Sequence, residues 1–164
     1  MFTRQELKEF LKKLKLEKGE YCVIAGGSLL MHGLKEETED IDIHVSEKQF
    51  NILKEKYGAT KTDKTYTETY DVVPDLEVSL YNMDDLNIFY INGIPCTSIF
   101  KDYKWRKSVN REKDKAIIEK EENLFSEIAD YYSCRVGELT ESKIEEYMMN
   151  KLKEQEKEDE ELEL

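Results

Sequence analysis

Three acids carry the pattern most suggestive of chemistry. Asp40-Ile41-Asp42-Ile43 reads as a strand whose two aspartates face one way and whose two isoleucines face the other, because strand side chains alternate. Two carboxylates so spaced on one strand face can bridge or share a hard divalent cation. Glu77 lies between Leu76 and Val78 in a second β-prone run. There Leu76, Val78 and Leu80 take one face, and Asp75, Glu77 and Ser79 the other. On an adjacent strand Glu77, with Asp75 as the alternate, would complete a three-carboxylate set. The plainer reading of each acid is a water-facing place on a sheet. His44 shares the face of Asp40 and Asp42, where an acid–base or metal role competes with a simple rim position. The chain has only two histidines, which gives little basis for histidine catalysis.

The element that must position these acids lies just upstream. Residues 21–25, Tyr-Cys-Val-Ile-Ala, form an apolar run suited to a strand covered on both faces. Gly26-Gly27-Ser28 follow at once. Glycines there let a ligand approach the backbone, Ser28 can cap the next helix, and free N–H groups at a helix start suit a phosphate. Gly33 is placed to end that helix in a left-handed turn.

Gly26-Gly27-Ser28, a short helix, and Asp40-Ile41-Asp42 on the next strand together resemble the DNA polymerase beta-like nucleotidyltransferase superfamily. His32-Gly33, Lys35 and Thr38 bring the pattern nearer to its small bacterial and phage-borne members, which include abortive-infection and toxin–antitoxin proteins. Arg111-Glu112-Lys113-Asp114, after a helix with a basic residue at Arg106, resembles a further element of that group. The resemblance spans about residues 20–118.

That resemblance implies an α/β (α+β) nucleotidyltransferase fold, a small mixed sheet flanked by helices with a helical C-terminal portion. It implies that an NMP unit moves from an NTP, ATP among the candidates, to an acceptor hydroxyl on a protein, a tRNA or a small molecule. Asp40, Asp42 and Glu77 would be catalytic and would hold Mg²⁺ or Mn²⁺, stabilising the attacking and leaving oxygens. Gly26, Gly27, Ser28, Lys35, Thr38, Arg106, Arg111 and Lys113 would bind the nucleotide. A toxin or antitoxin protein is the implied partner, and phage defence the implied setting.

Composition narrows the alternatives. In 164 residues, 25 Lys+Arg stand against 37 Asp+Glu, a net charge of −12, which argues against a protein that coats nucleic acid. The basic island from Lys101 to Lys115 is the exception, and a solvated helix face with an Asp114–Arg111 ion pair is its plain reading. Cys22, Cys96 and Cys134 have no zinc-like spacing and suggest no disulfide framework. With no signal peptide and no membrane-length apolar run, the expectation is a cytoplasmic protein that meets no membrane.

Along the chain, Thr3 and Glu6 form a capping box before the stripe Leu7, Phe10, Leu11 and Leu14, read as a packing helix. Ser46 with Gln49, and Ser142 with Glu145, repeat the box. Thr65 to Tyr70 alternate as a strand should, and Pro74 kinks the chain before Glu77. Asn92-Gly93 predicts a tight hairpin. Thr97 or Ser98 caps a helix to about Val109, with Trp105 as a core anchor. Apolar spacing beyond Lys115 shows a break near residues 121–123. One domain is expected over residues 1–153, with C-terminal helices over 112–153. Residues 154–164 are expected to be an acidic, frayed tail. A second functional reading keeps the fold without the catalysis, as a nucleotide-binding or partner-binding regulator. The acid-rich loop at residues 36–39 favours it. RNA binding through the basic island is a third reading.

Overall fold

Apolar β1 (Tyr21–Ile24) lies inside a mixed sheet in the computed structural model, which describes residues 1–64 and 68–163. The other strands are β2 (Ile41–Val45), β3 (Thr60–Lys61), β4 (Tyr70–Asp71), β5 (Leu76–Leu80), β6 (Ile88–Ile91) and β7 (Ile94–Thr97). Their spatial order is β3-β4-β5-β2-β1-β7-β6. β2 runs antiparallel to β1, whereas β5 runs parallel to β2 and β7 parallel to β1. The outer strands β3, β4 and β6 add antiparallel pairs. The central strands alternate as expected. Ile41, Ile43, Val45, Leu76 and Val78 are buried, while Asp42, His44 and Glu77 are half-buried on the opposite face.

The chain divides into two compact units, Met1–Thr97 and Ser98–Leu164. The first contains the whole sheet with helices α1 (Arg4–Leu14), α2 (Ala25–Met31) and α3 (Glu47–Tyr57). The Thr3–Glu6 capping box forms in both directions, and Leu7, Leu11 and Leu14 bury the inner face of α1. Ser46 caps α3, but Gln49 does not close the box. Its side-chain oxygen accepts from the Glu17 N–H at 2.8 Å instead. Asn92 and Gly93 both have positive φ between β6 and β7, as the tight hairpin demands. Of the alternating run expected from Thr65 to Tyr70, residues 65–67 lie outside the described residues, and the run ends in β4.

The second unit holds α4 (Ile99–Val109), α5 (Lys115–Tyr131) and α6 (Glu141–Glu163). Ser98 caps α4, and Asn110, in the left-handed region at φ 57°, ends it. Thr140, not Ser142, caps α6, its hydroxyl accepting from the Lys143 N–H at 3.1 Å. Glu145 is buried and accepts from the Ile99 N–H at 3.0 Å, so it caps a different helix from the one expected. No break divides α5, and α6 stays helical to Glu163 through the segment expected to fray. No helix among the described residues is long and apolar enough to cross a membrane.

Candidate active site

Parallel pairing of β2 with β5 sets Asp42 directly opposite Glu77. Both side chains point to the face left uncovered by the isoleucine layer, and the two carboxyl groups share a hydrogen bond. Burial, then that bond and the charge of Glu77, push Asp42 up to about 7. The pair therefore takes up a proton around neutrality, far above the range of an ordinary carboxylate. Asp40, exposed one residue before β2, is also raised, first by desolvation and then by Asp75, Glu77 and Glu39. Asp75, the alternate third acid, is not a strand residue. It sits in the left-handed region at φ 69°, and its carbonyl accepts from the Ile41 N–H at 2.8 Å.

Lys64 forms an ion pair with Glu77 and lowers the pKa values of both Asp40 and Asp42, without cancelling their rise. Farther along the same face His44 Nδ1 is 2.6 Å from Ser79 Oγ, and its ring stacks on Tyr81 with centroids 4.6 Å apart. These contacts place His44 in a row beside the acids, held by Ser79 and Tyr81.

The glycine turn differs from its expected form. α2 begins at Ala25, which holds φ at +54°, a left-handed conformation that costs a non-glycine residue about 1–2 kcal/mol. Gly26 and Gly27 are the next two helical residues, and no side chain caps the helix. A Cβ on Gly26 would lie 2.6 Å from Thr38 Oγ1, and one on Gly27 would lie 2.7 Å from Val23 Cγ1. Both glycines are thus required by the protein's own packing. Ser28 is wholly buried, and its hydroxyl donates to the Thr97 carbonyl at 2.9 Å. It therefore braces α2 against β7 and is out of a phosphate's reach. Lys35 is exposed, and its Nζ would lie 3.9 Å from the Gly26 Cβ, so the lysine overhangs the turn. Thr38 is buried, with its hydroxyl donating to the Asp40 carbonyl at 3.3 Å.

Two of the basic candidates of the second unit, Arg106 and Arg111, are engaged within it. Arg106 is buried, its Nε and Nη2 donating to the two oxygens of buried Glu121 at 3.1 and 2.6 Å. Arg111 makes a two-pronged pair with Asp114 at 2.7 and 3.2 Å and lies 5.0 Å from the Trp105 ring centroid. Trp105 is 39% exposed, so it packs under a guanidinium instead of anchoring a core. Lys113 is exposed. Sequence reasoning missed Lys64 and Glu121. Neither stands in a motif, and each is found only through the partner that folding brings to it.

Among the described residues, no group of three or more Asp, Glu, His or Cys is set to hold a metal ion. Asp42 and Glu77 meet, and Asp40 joins them through charge. Their chemistry nonetheless fits Mg²⁺ or Mn²⁺. Carboxylate oxygens are the ligands such ions take, and a cation there would favour the ionised form of acids that burial first, and neighbouring acids after it, hold above the ordinary carboxylate range.

The architecture has a counterpart among solved structures. A proposed nucleotidyltransferase from Thermotoga maritima superposes with a TM-score of 0.52 at 20% identity, over 74% of this chain and 96% of that one. The two share a fold. No protein-family model matches the sequence, and no curated protein matches it.

Proposed function

We propose that the protein is a nucleotidyltransferase that moves an NMP unit from an NTP to an acceptor hydroxyl and releases pyrophosphate, with Asp42 and Glu77 at its centre and Asp40 beside them. The observation that carries this reading is the β2–β5 register, which places two carboxylates against one another on a half-buried sheet face. Isolated surface acids avoid such contact, and a pair held together by strand pairing is suited to a cation and a reacting phosphate. A likeness in fold to a proposed nucleotidyltransferase agrees with it. Mg²⁺ or Mn²⁺, when bound, would supply positive charge to the phosphate oxygens. The chain's own part is to hold the pair rigid between two central strands and to keep Asp42 and Glu77 able to exchange a proton. Glu77, once freed of Lys64, is then the group able to accept the acceptor's proton.

Calorimetric titration of each NTP in Mn²⁺ tests this reading. Binding to the wild type that disappears in Asp42→Asn is the expected result. Equal binding in both, or none in the wild type, would remove it. The Lys64–Glu77 pair favours a second reading. A site whose acid already has a protein cation can serve as a nucleotide-binding or partner-binding module without turnover. Under it Asp42→Asn leaves partner binding intact.

A further inference from the structure

Arg4 is half-buried, and two of its three guanidinium nitrogens have no acceptor among the described residues. It is the first residue of α1, and its Nε and Nη2 are shut off from solvent without a hydrogen-bond partner among the described residues. Guanidinium groups bury their donors only against acceptors, because stripping water from a cation without replacing it is costly. Donors left so are suited to an anionic acceptor.

Two sets of contacts fix where Arg4's stretch of chain lies. One turn after Arg4, and on the same face of α1, Leu7 Cδ1 lies 3.3 Å from where a Gly27 Cβ would be. Two residues before Arg4, Phe2 exchanges backbone hydrogen bonds of 2.7 and 2.9 Å with Thr38, whose hydroxyl covers Gly26. The segment that carries Arg4 is therefore tied on one side to Gly27, through Leu7, and on the other to Thr38, the residue over Gly26, through Phe2. Long helical side chains lean toward the helix N-terminus, which directs Arg4 toward the Thr38 side.

We infer that Arg4 is an anion ligand of the nucleotide site and that, with Lys35, it binds the polyphosphate of the NTP. The inference rests on the proposed nucleotidyltransferase reading and adds a residue whose helix reads, in the sequence, as packing alone. A planar guanidinium suits phosphate oxygens, since it can donate two parallel bonds to them. It also answers a difficulty of this protein. Ser28 is buried, Arg106 is committed to Glu121, and the acids around Asp42 repel a triphosphate. Arg4 supplies a permanent charge where those candidates do not.

Inorganic tripolyphosphate, without metal, is the probe. It should raise the melting temperature of the wild type and bind measurably by calorimetry. Arg4→Met should weaken that binding about tenfold or more, the loss expected for a charge-assisted hydrogen bond. Arg4→Lys should recover part of it. Without anion, Arg4→Met should melt no lower than the wild type, since the variant removes an uncompensated charge. Equal tripolyphosphate binding in Arg4→Met and wild type would overturn the inference, and so would a wild type that does not respond to tripolyphosphate. Failure of the underlying reading shows elsewhere, as Mn²⁺ binding indifferent to Asp42→Asn, so the two can be told apart.

Discussion

Two regions of this protein bury charge, and they treat it differently. In the second unit Arg106 and Glu121 are both nearly inaccessible, and the guanidinium meets both carboxylate oxygens. Burial raises the pKa of Glu121 and Arg106 opposes that rise, so the helix pair closes over a compensated ion pair. On the sheet face of the first unit, Asp42 meets another acid, Asp40 and Asp75 add to the repulsion, and the partly exposed Lys64 offsets only part of it. A compensated pair holds a fold together. A cluster left short of positive charge costs the fold stability, and under the proposed function a bound cation would offset that cost.

The sharpest way to break the comparison is to uncompensate the balanced pair. Arg106→Met should destabilise the second unit by about 3–5 kcal/mol, and Arg106→Met/Glu121→Leu should recover most of it, as read by urea unfolding. If the single variant costs no more than an ordinary surface change, Glu121 is not held as a charge and the contrast fails.

The sheet face should behave in the opposite sense. Asp42→Asn should stabilise the metal-free protein at pH 8 by about 1–3 kcal/mol while abolishing Mn²⁺ binding. The pH dependence follows from the same group. Asp42 titrates near 7 in the fold, against 3.8 for the ordinary side chain. Between those values the folded state keeps a proton that the unfolded chain has released. Metal-free stability should therefore fall as pH rises from about 4 to about 7, and Asp42→Asn should flatten that slope. Thermal melts across the range, with and without the substitution, would show it. A profile unchanged by the substitution would mean that the deficit lies elsewhere.

Lys64→Met sharpens the role of the local counter-charge. It should cost the metal-free protein about 1 kcal/mol at pH 8, yet tighten Mn²⁺ several-fold, because the ion no longer displaces an ammonium group from Glu77. Weaker Mn²⁺ binding would instead make Lys64 a support of the site. The smallest change belongs to Arg111→Gln. Its pair with Asp114 is partly exposed, so urea unfolding should shift by about 0.5–1 kcal/mol, with little effect on the sheet-face site.

Legibility in the sequence followed the range of the interactions. The Ile41–Val45 alternation, the Thr3 cap and the Asn92-Gly93 hairpin depend on neighbours a few residues away, and each formed as read, although Asp40 falls one residue short of the strand. Glu77 was visible as an acid between apolar residues. Its pairing with Asp42, 35 positions earlier, needed the parallel β2–β5 register. Arg106 was misjudged for the same reason. A basic residue on a helix looks solvent-facing or ligand-facing until an acid fifteen residues on, in α5, is seen to turn into the same core. The apparent break in α5 was that acid. Ser28 was placed by its neighbours at a helix start, but the helix begins three residues sooner, and its hydroxyl goes to Thr97.

By itself, then, the sequence determined the strand alternation that puts Asp42 and Glu77 on polar faces, the tight turn after β6 and the capping of α1. These are local consequences of backbone geometry and side-chain period. Tertiary structure alone decided which charges meet. It brought Asp42 to Glu77, Arg106 to Glu121 and Lys64 to the acids, and it left two nitrogens of Arg4 without an acceptor among the described residues. Whether a buried charge is matched depends on groups distant in the chain, and burial makes that match worth more than any local preference.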